Sequence, residues 1–294
     1  MKNLKHWPFK IGVVITLLIA SLFPLSRFLA QDSTPEATPT LAAGTVVTDA
    51  YGFDMVYVPA GTVEMGISRQ QLTDFIQQGA LGDDAKSQID SYLNTAQEEA
   101  VLDTVNVTLP AYWIDRYEVT IEQYQARAQD CLSSGRCSKI DLSYAPYLQV
   151  DKKQPQVNVD WFDAIRYCMT RSARLPTESE WEYAASGPQN LLFPWGNTLV
   201  LENLAMDKTS YNVGTRPNNI SWVGAYDLAG NSEEWVEDRM KPYTDAASPL
   251  FYVQHQSDAQ RVIRGGSYRT SIFQMTTFGR NSDDPDSQDE MGFR

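Results

Sequence analysis

The chain has 294 residues, 43% hydrophobic and 11% aromatic, which is enough for one large domain or two small ones with a real core. Its formal net charge of −13 excludes the basic balance that nucleic-acid and anionic-membrane binding require. The surplus of acid suits a divalent cation or a cationic partner, or simply keeps a protein soluble.

The amino terminus stands apart from the rest. Lys2, Lys5 and Lys10 precede an apolar run from Ile11 to Leu25, which ends near Leu29 and Ala30. A basic head, about 15 apolar residues and a small-residue end read as a secretory signal over residues 1–30. Arg27 and Phe28 crowd the cleavage region, so an uncleaved signal-anchor is the alternative. Either way, the remainder is expected outside the cytoplasm, secreted or held by this segment. Without the first 30 residues, 20 basic residues face 37 acidic ones, a net −17. Residues 31–44 (QDSTPEATPTLAAG) form a Ser/Thr/Pro linker with little to bury, and the folded part should span 45–294.

Met55 to Gly66 alternates apolar and small residues around Pro59-Ala60-Gly61 and predicts a strand pair. Leu72, Phe75 and Ile76, then Ile89, Tyr92 and Leu93, recur at helical spacing either side of a Gly79–Asp84 break. A helical insertion over about 68–100 follows. Val105 to Ile114 returns to strand pattern, and Thr120 can cap a helix over about 121–129. Cys131 and Cys137 flank a short glycine-containing loop, so a disulfide is the default in an oxidising compartment. Zinc would need further ligands, and the only histidines are His6 and His255. A redox role would lack the C-x-x-C spacing that tunes thiol acidity. A second helix is predicted over Trp161–Arg171. In a third, Thr177 and Glu180 make a capping box with Trp181, Ala184 and Ala185 facing inward. Beyond Ser186 short strands, Gly/Asn turns and aromatics take over. Early helices and late irregular β structure predict an α+β fold.

Several blocks in this order carry a resemblance. They are Met55-Val-Tyr-Val-Pro-Ala-Gly61, Tyr112-Trp-Ile-Asp-Arg-Tyr-Glu-Val-Thr120, Val157-Asn-Val-Asp-Trp161, Arg174-Leu-Pro-Thr-Glu178, Asp227-Leu-Ala-Gly-Asn-Ser-Glu-Glu-Trp235, Arg264-Gly-Gly-Ser-Tyr268 and Gly292-Phe-Arg294. Together they resemble the formylglycine-generating enzyme (sulfatase-modifying factor) domain family, and they imply its C-type-lectin-like fold with little regular secondary structure. Enzymes of that family oxidise a substrate cysteine with two cysteines placed shortly after Gly-Gly-Ser, which hold copper(I). Here Thr270 and Met275 stand near those positions. A hydroxyl and a thioether cannot replace two thiolates, so copper is not expected. Many relatives also bridge a cysteine at the Cys168 position to one just after Gly-Phe-Arg. That partner is not in this sequence, so Cys168 is expected to be a buried free thiol.

The resemblance further implies calcium, held by the Asp227 and Glu234 side chains and the Gly230 and Ser232 carbonyls. Oxygen ligands of this kind suit calcium. The alternative is that Asp227 and Glu234 cap turns or pair with Arg239. A second calcium site would use Asn203 and the Leu204 carbonyl, with Asp207 as a substitute ligand. Arg264, Ser267, Thr270, Met275 and Arg280 are the candidate groove residues, although the arginines, with Arg294, equally suit neutralising carboxylates such as Glu234, Asp238 and the 283–290 cluster. The expected function is a non-catalytic exported domain (a pseudoenzyme) that binds a peptide, glycan or protein and no nucleic acid. The alternatives are cysteine oxidation through an atypical centre and iron-dependent sulfur transfer, for which two histidines cannot supply the iron site.

Overall fold

Alternation explains the first strands. In the computed structural model, β1 (Val46–Thr48) pairs antiparallel with β2 (Asp54–Val58), and β2 with β5 (Tyr112–Asp115). The side chains of Val56 and Val58 point inward and are fully buried. The structure describes residues 41–77, 87, 104–135, 151–206, 210–241 and 259–294, all within the unit Leu41–Arg294. Cys137, Asp207, His255, most of the second half of the predicted insertion and the amino-terminal segment lie outside the described residues.

The expected strand pair around Pro59 is corrected. Its second strand, β3 (Gly61–Met65), pairs not with β2 but with β4 (Val105–Leu109) in a separate two-stranded sheet. At the start of β3 Gly61 packs against Tyr183, where an added Cβ would stand 2.0 Å from the phenol oxygen. Pro110 likewise divides the predicted 105–114 strand into β4 and β5.

Local chemistry sets the helices. α1 (Arg69–Gln77) begins where the Gln71 N–H donates to Ser68 Oγ at 3.1 Å, and it buries Leu72. α2 (Ile121–Ser133) starts at a Thr120–Gln123 capping box and runs four residues past the expected end. α3 (Trp161–Thr170) is capped by Asp160, and α4 (Glu178–Ser186) by the predicted Thr177–Glu180 box. Trp181, Ala184 and Ala185 are fully buried. No helix among the described residues is long and apolar enough to cross a membrane.

The carboxy-terminal part builds the sheet that positions the site. Its order is β8 (Arg280–Asp283), β7 (Arg261–Arg264), β6 (Glu233–Arg239) and β9 (Met291–Gly292). The β6–β9 pairing is parallel, with Glu234 opposite Gly292. The last residues of the chain are thereby brought beside the 227–234 turn. Three apolar clusters surround this sheet. One joins Val56, Val63 and Ile114 to Trp181, one joins Trp161, Tyr167 and Cys168 to Trp235 and Phe293, and one joins Leu72 and Phe193 to Met275 and Phe278. The architecture is α+β, as the segregation of its elements predicted.

Candidate functional site

Three carboxylates and one guanidinium meet under the 227–234 turn. Glu118, from the loop before α2, holds the turn backbone: its Oε1 accepts from Ser232 N–H at 3.0 Å and Ser232 Oγ at 2.6 Å, and its Oε2 from Asn231 Nδ2. Asp227 Oδ2 accepts from Gly214 N–H at 2.6 Å. Glu234 Oε2 accepts from Arg294 Nε at 2.6 Å and Trp181 Nε1 at 3.0 Å, and its Oε1 accepts from Arg294 Nη2. Arg294 also donates to the Tyr226 carbonyl at 3.0 Å. Burial pushes the Asp227 carboxyl up to about 6, and the Glu234 charge adds to this. Burial also raises Glu118 well above the carboxylate range, helped by Asp227 and Glu234.

This geometry shows how one expected calcium ligand, Glu234, is already partnered. A calcium ion needs six to eight oxygen ligands with lone pairs to spare. Glu234 Oε2 accepts from Arg294 and Trp181, its Oε1 accepts from Arg294, and the side chain is fully buried. The partner is Arg294, not the Arg239 considered as the alternative. Leu204 sits 1% exposed in an apolar cluster. Among the described residues no three His, Cys, Asp or Glu side chains are grouped to hold a metal. In this arrangement a guanidinium already neutralises one of the two acids expected as ligands.

The Gly-Gly-Ser element is also stitched shut. Ser267 N–H donates to Thr270 Oγ1 at 2.8 Å, and that hydroxyl donates back to the Ser267 carbonyl at 3.0 Å. Met275 is fully buried in the cluster with Phe193 and Phe278. The Thr270 and Met275 side chains therefore converge on Gly266, but they serve a turn and a core. Gly266 has φ +65°, and an added Cβ would lie 2.8 Å from Thr270 Oγ1 and 2.9 Å from Met275 Cγ. Gly266→Ala is expected to cost about 1–3 kcal/mol, from the strained backbone and the overlap, as read by urea unfolding.

Arg264, Ser267 and Arg280 are 1–2% exposed, and Arg280 lines a small cavity of about 30 Å³ with Glu178, Asp238 and Lys241. Arg264 donates to Glu178 Oε1 at 3.0 Å and Glu182 Oε2 at 2.7 Å, while Arg280 donates to Glu178 Oε2 at 2.9 Å. The carboxylates they neutralise belong to α4, where one helical turn stacks Glu178 and Glu182 on the same face. Sequence reasoning missed both acids, although the Glu178–Glu182 spacing on a capped helix was a usable signal. Beside them, Asp238 Oδ2 accepts from Glu178 N–H at 2.6 Å. Burial, and then the Glu178 charge, pushes the Asp238 carboxyl up to about 6. A raised acid contributes stability that is present below its unfolded pKa and lost as pH rises through about 6. Asp238→Asn should flatten that part of the stability profile between about pH 4 and 6, as measured by urea midpoints.

An open groove of about 570 Å³ lies elsewhere, lined by Glu202, Asn203, Tyr211, Thr215, Arg216 and Asn218 among others. Of the predicted site residues, only Asn203 reaches it. The loop that supplies the rest showed no motif in the sequence. Cys168 is a free, buried thiol, pushed up by burial, and lies in the Trp161–Phe293 cluster away from the Gly-Gly-Ser element. Cys131 is buried at the end of α2, and its expected partner Cys137 lies outside the described residues.

With this arrangement established, comparison with known proteins decides the family. A profile for the sulfatase-modifying factor enzyme 1-like domain matches residues 44–294. The chain belongs to that family. It is similar to the formylglycine-generating enzyme of Bos taurus, with 33% identity over 162 residues, 48% of this chain and 43% of the relative. Similarity to the inactive C-alpha-formylglycine-generating enzyme 2 of Bos taurus is at 32% over 162 residues, 48% of this chain and 49% of the relative. The chain thus spans about half the length of the curated relatives it matches, or less. Among solved structures, PvdO from Pseudomonas aeruginosa superposes with a TM-score of 0.65 at 22% identity, over 86% of this chain and 98% of that one. That likeness shows the fold. Sulfatase-modifying-factor domains in these comparisons thus include both active and inactive proteins, and the side chains at the site must discriminate.

Proposed function

We propose that this chain is an exported, non-catalytic sulfatase-modifying-factor domain that binds a peptide, glycan or protein partner. The observation that carries this reading is the state of positions 270 and 275. A threonine bonded into its own turn and a methionine packed in the core offer neither a thiolate for copper(I) nor a thiol for exchange. Cys168 does not fill the gap, because it is buried and its thiol is harder to ionise than usual. The similarity to a relative named as inactive supports the same reading. Export rests on the basic head and apolar run of residues 1–30, and a Cys131–Cys137 disulfide would suit that compartment. The scaffold needs no calcium in this reading, since Arg294 supplies the positive charge under the turn.

The test is direct. The purified chain, with copper and a Cys-x-Pro-x-Arg peptide, is expected to leave the peptide thiol intact by mass spectrometry. Thiol loss above a metal-free control would establish the oxidase alternative instead.

A further inference from the structure

We infer that the groove beside Asn203 is a binding site for a neutral, hydroxyl-rich ligand, a saccharide. This rests on the reading of the chain as a binding domain and names the ligand class. The volume of about 570 Å³ lies within the ~300–1,000 Å³ range of small-ligand sites. One wall is the 3₁₀ turn Leu201–Asn203 and the other is the loop that carries Tyr211 to Asn218.

The second wall is rigid. The Arg216 guanidinium lies over the Tyr211 ring at 4.2 Å, donates to the Glu202 carbonyl at 3.1 Å and bonds the Tyr211 hydroxyl. Tyr211 N–H donates to Asn231 Oδ1 at 2.7 Å, and Asn231 is held in turn by Glu118. The groove wall is therefore bolted to the buried turn, so a ligand would meet preformed partners rather than pay to order them.

The lining selects the ligand class. Among the described residues it holds one acid and one arginine, which together make no demand for a net charge on the ligand. Its ring side chains are Tyr211 and Pro217, and among the described residues no Leu, Ile, Val, Met, Phe or Trp lines it, so it has no deep aliphatic pocket. Neither wall is a strand, so an extended peptide backbone has no ladder to join. What the groove offers is side-chain amides, a hydroxyl, a carboxylate and a phenol. These match alternating donors and acceptors on a sugar.

Isothermal titration of the full chain with maltotriose, cellobiose, chitobiose and mannobiose tests this. At least one is expected to bind, with Asn218→Ala and Glu202→Gln each weakening it about tenfold, the loss of one hydrogen bond to a polar or charged group. Both positions are exposed, so the fold should survive, which circular dichroism checks. Silence of all the sugars, or unchanged titration of both variants, overturns the saccharide assignment. If the copper assay still shows no thiol loss, the non-catalytic reading stands without it. Thiol loss would remove the reading on which the assignment rests.

Discussion

Arg294→Met is expected to lower the unfolding free energy of the chain by about 3–5 kcal/mol, the cost of breaking a buried pair and stranding its acid. Glu234 and Arg294 are both fully or almost fully buried. The pair is bidentate, with Trp181 Nε1 and the Tyr226 carbonyl satisfying further lone pairs and protons. Removing the arginine leaves Glu234 without a counter-charge beside Asp227 and Glu118, the two acids whose ionisation burial already disfavours. Urea unfolding measures the loss. Glu234→Gln in the same chain should restore part of it, since a neutral amide no longer needs the cation. A calcium comparison belongs with this experiment. EDTA and millimolar calcium are expected to give the same melting temperature, because Arg294 already neutralises Glu234. A calcium-dependent rise of several degrees would show instead that the metal displaces Arg294.

Arg264→Met should be destabilising to a similar degree, about 3–5 kcal/mol. This guanidinium bridges Glu178 and Glu182 across one turn of α4, and it also donates to the Thr277 and Phe278 carbonyls. Glu178 would retain Arg280, and Glu182 would retain the Gly66 N–H at 2.7 Å. Glu182, fully buried, would lose its only ion-pair partner among the described residues. Arg264→Lys should recover little, because an ammonium cannot fork between two carboxylates and two carbonyls. The control is Arg269→Ala. Its side chain is 64% exposed and bridges Glu290 at 2.8 Å, so a change within about 0.5 kcal/mol is expected. If the buried and exposed arginines behaved alike, burial would not be deciding the energetics.

Much of the scaffold was legible in the sequence. The Thr177–Glu180 box and the Thr120 cap involve residues within four of one another, and both formed. Helix α4 came with its inward face, because Trp181, Ala184 and Ala185 declare it by spacing alone. Sheet pairing was harder. β2 and β3 were visible as strands, but β2 pairs with β5 and β3 with β4, contacts between distant segments that no local pattern announces. The groove was invisible, since Tyr211, Arg216 and Asn218 become neighbours only when their loop folds over the 201–203 turn.

By itself the sequence determined the family blocks, the capped helices, the α+β class and the identity of the residues that follow Gly-Gly-Ser. These are properties of residue type and local spacing. Only the tertiary structure decided what each charged residue does. Arg294 meets Glu234 across 60 positions, through a parallel β6–β9 pairing that no local pattern announces. A carboxylate in water binds a metal or an arginine with little preference. Once buried, it must be neutralised by whichever cation the fold delivers. Here the fold delivers a guanidinium to Glu234, and the acidic turn carries a buried ion pair.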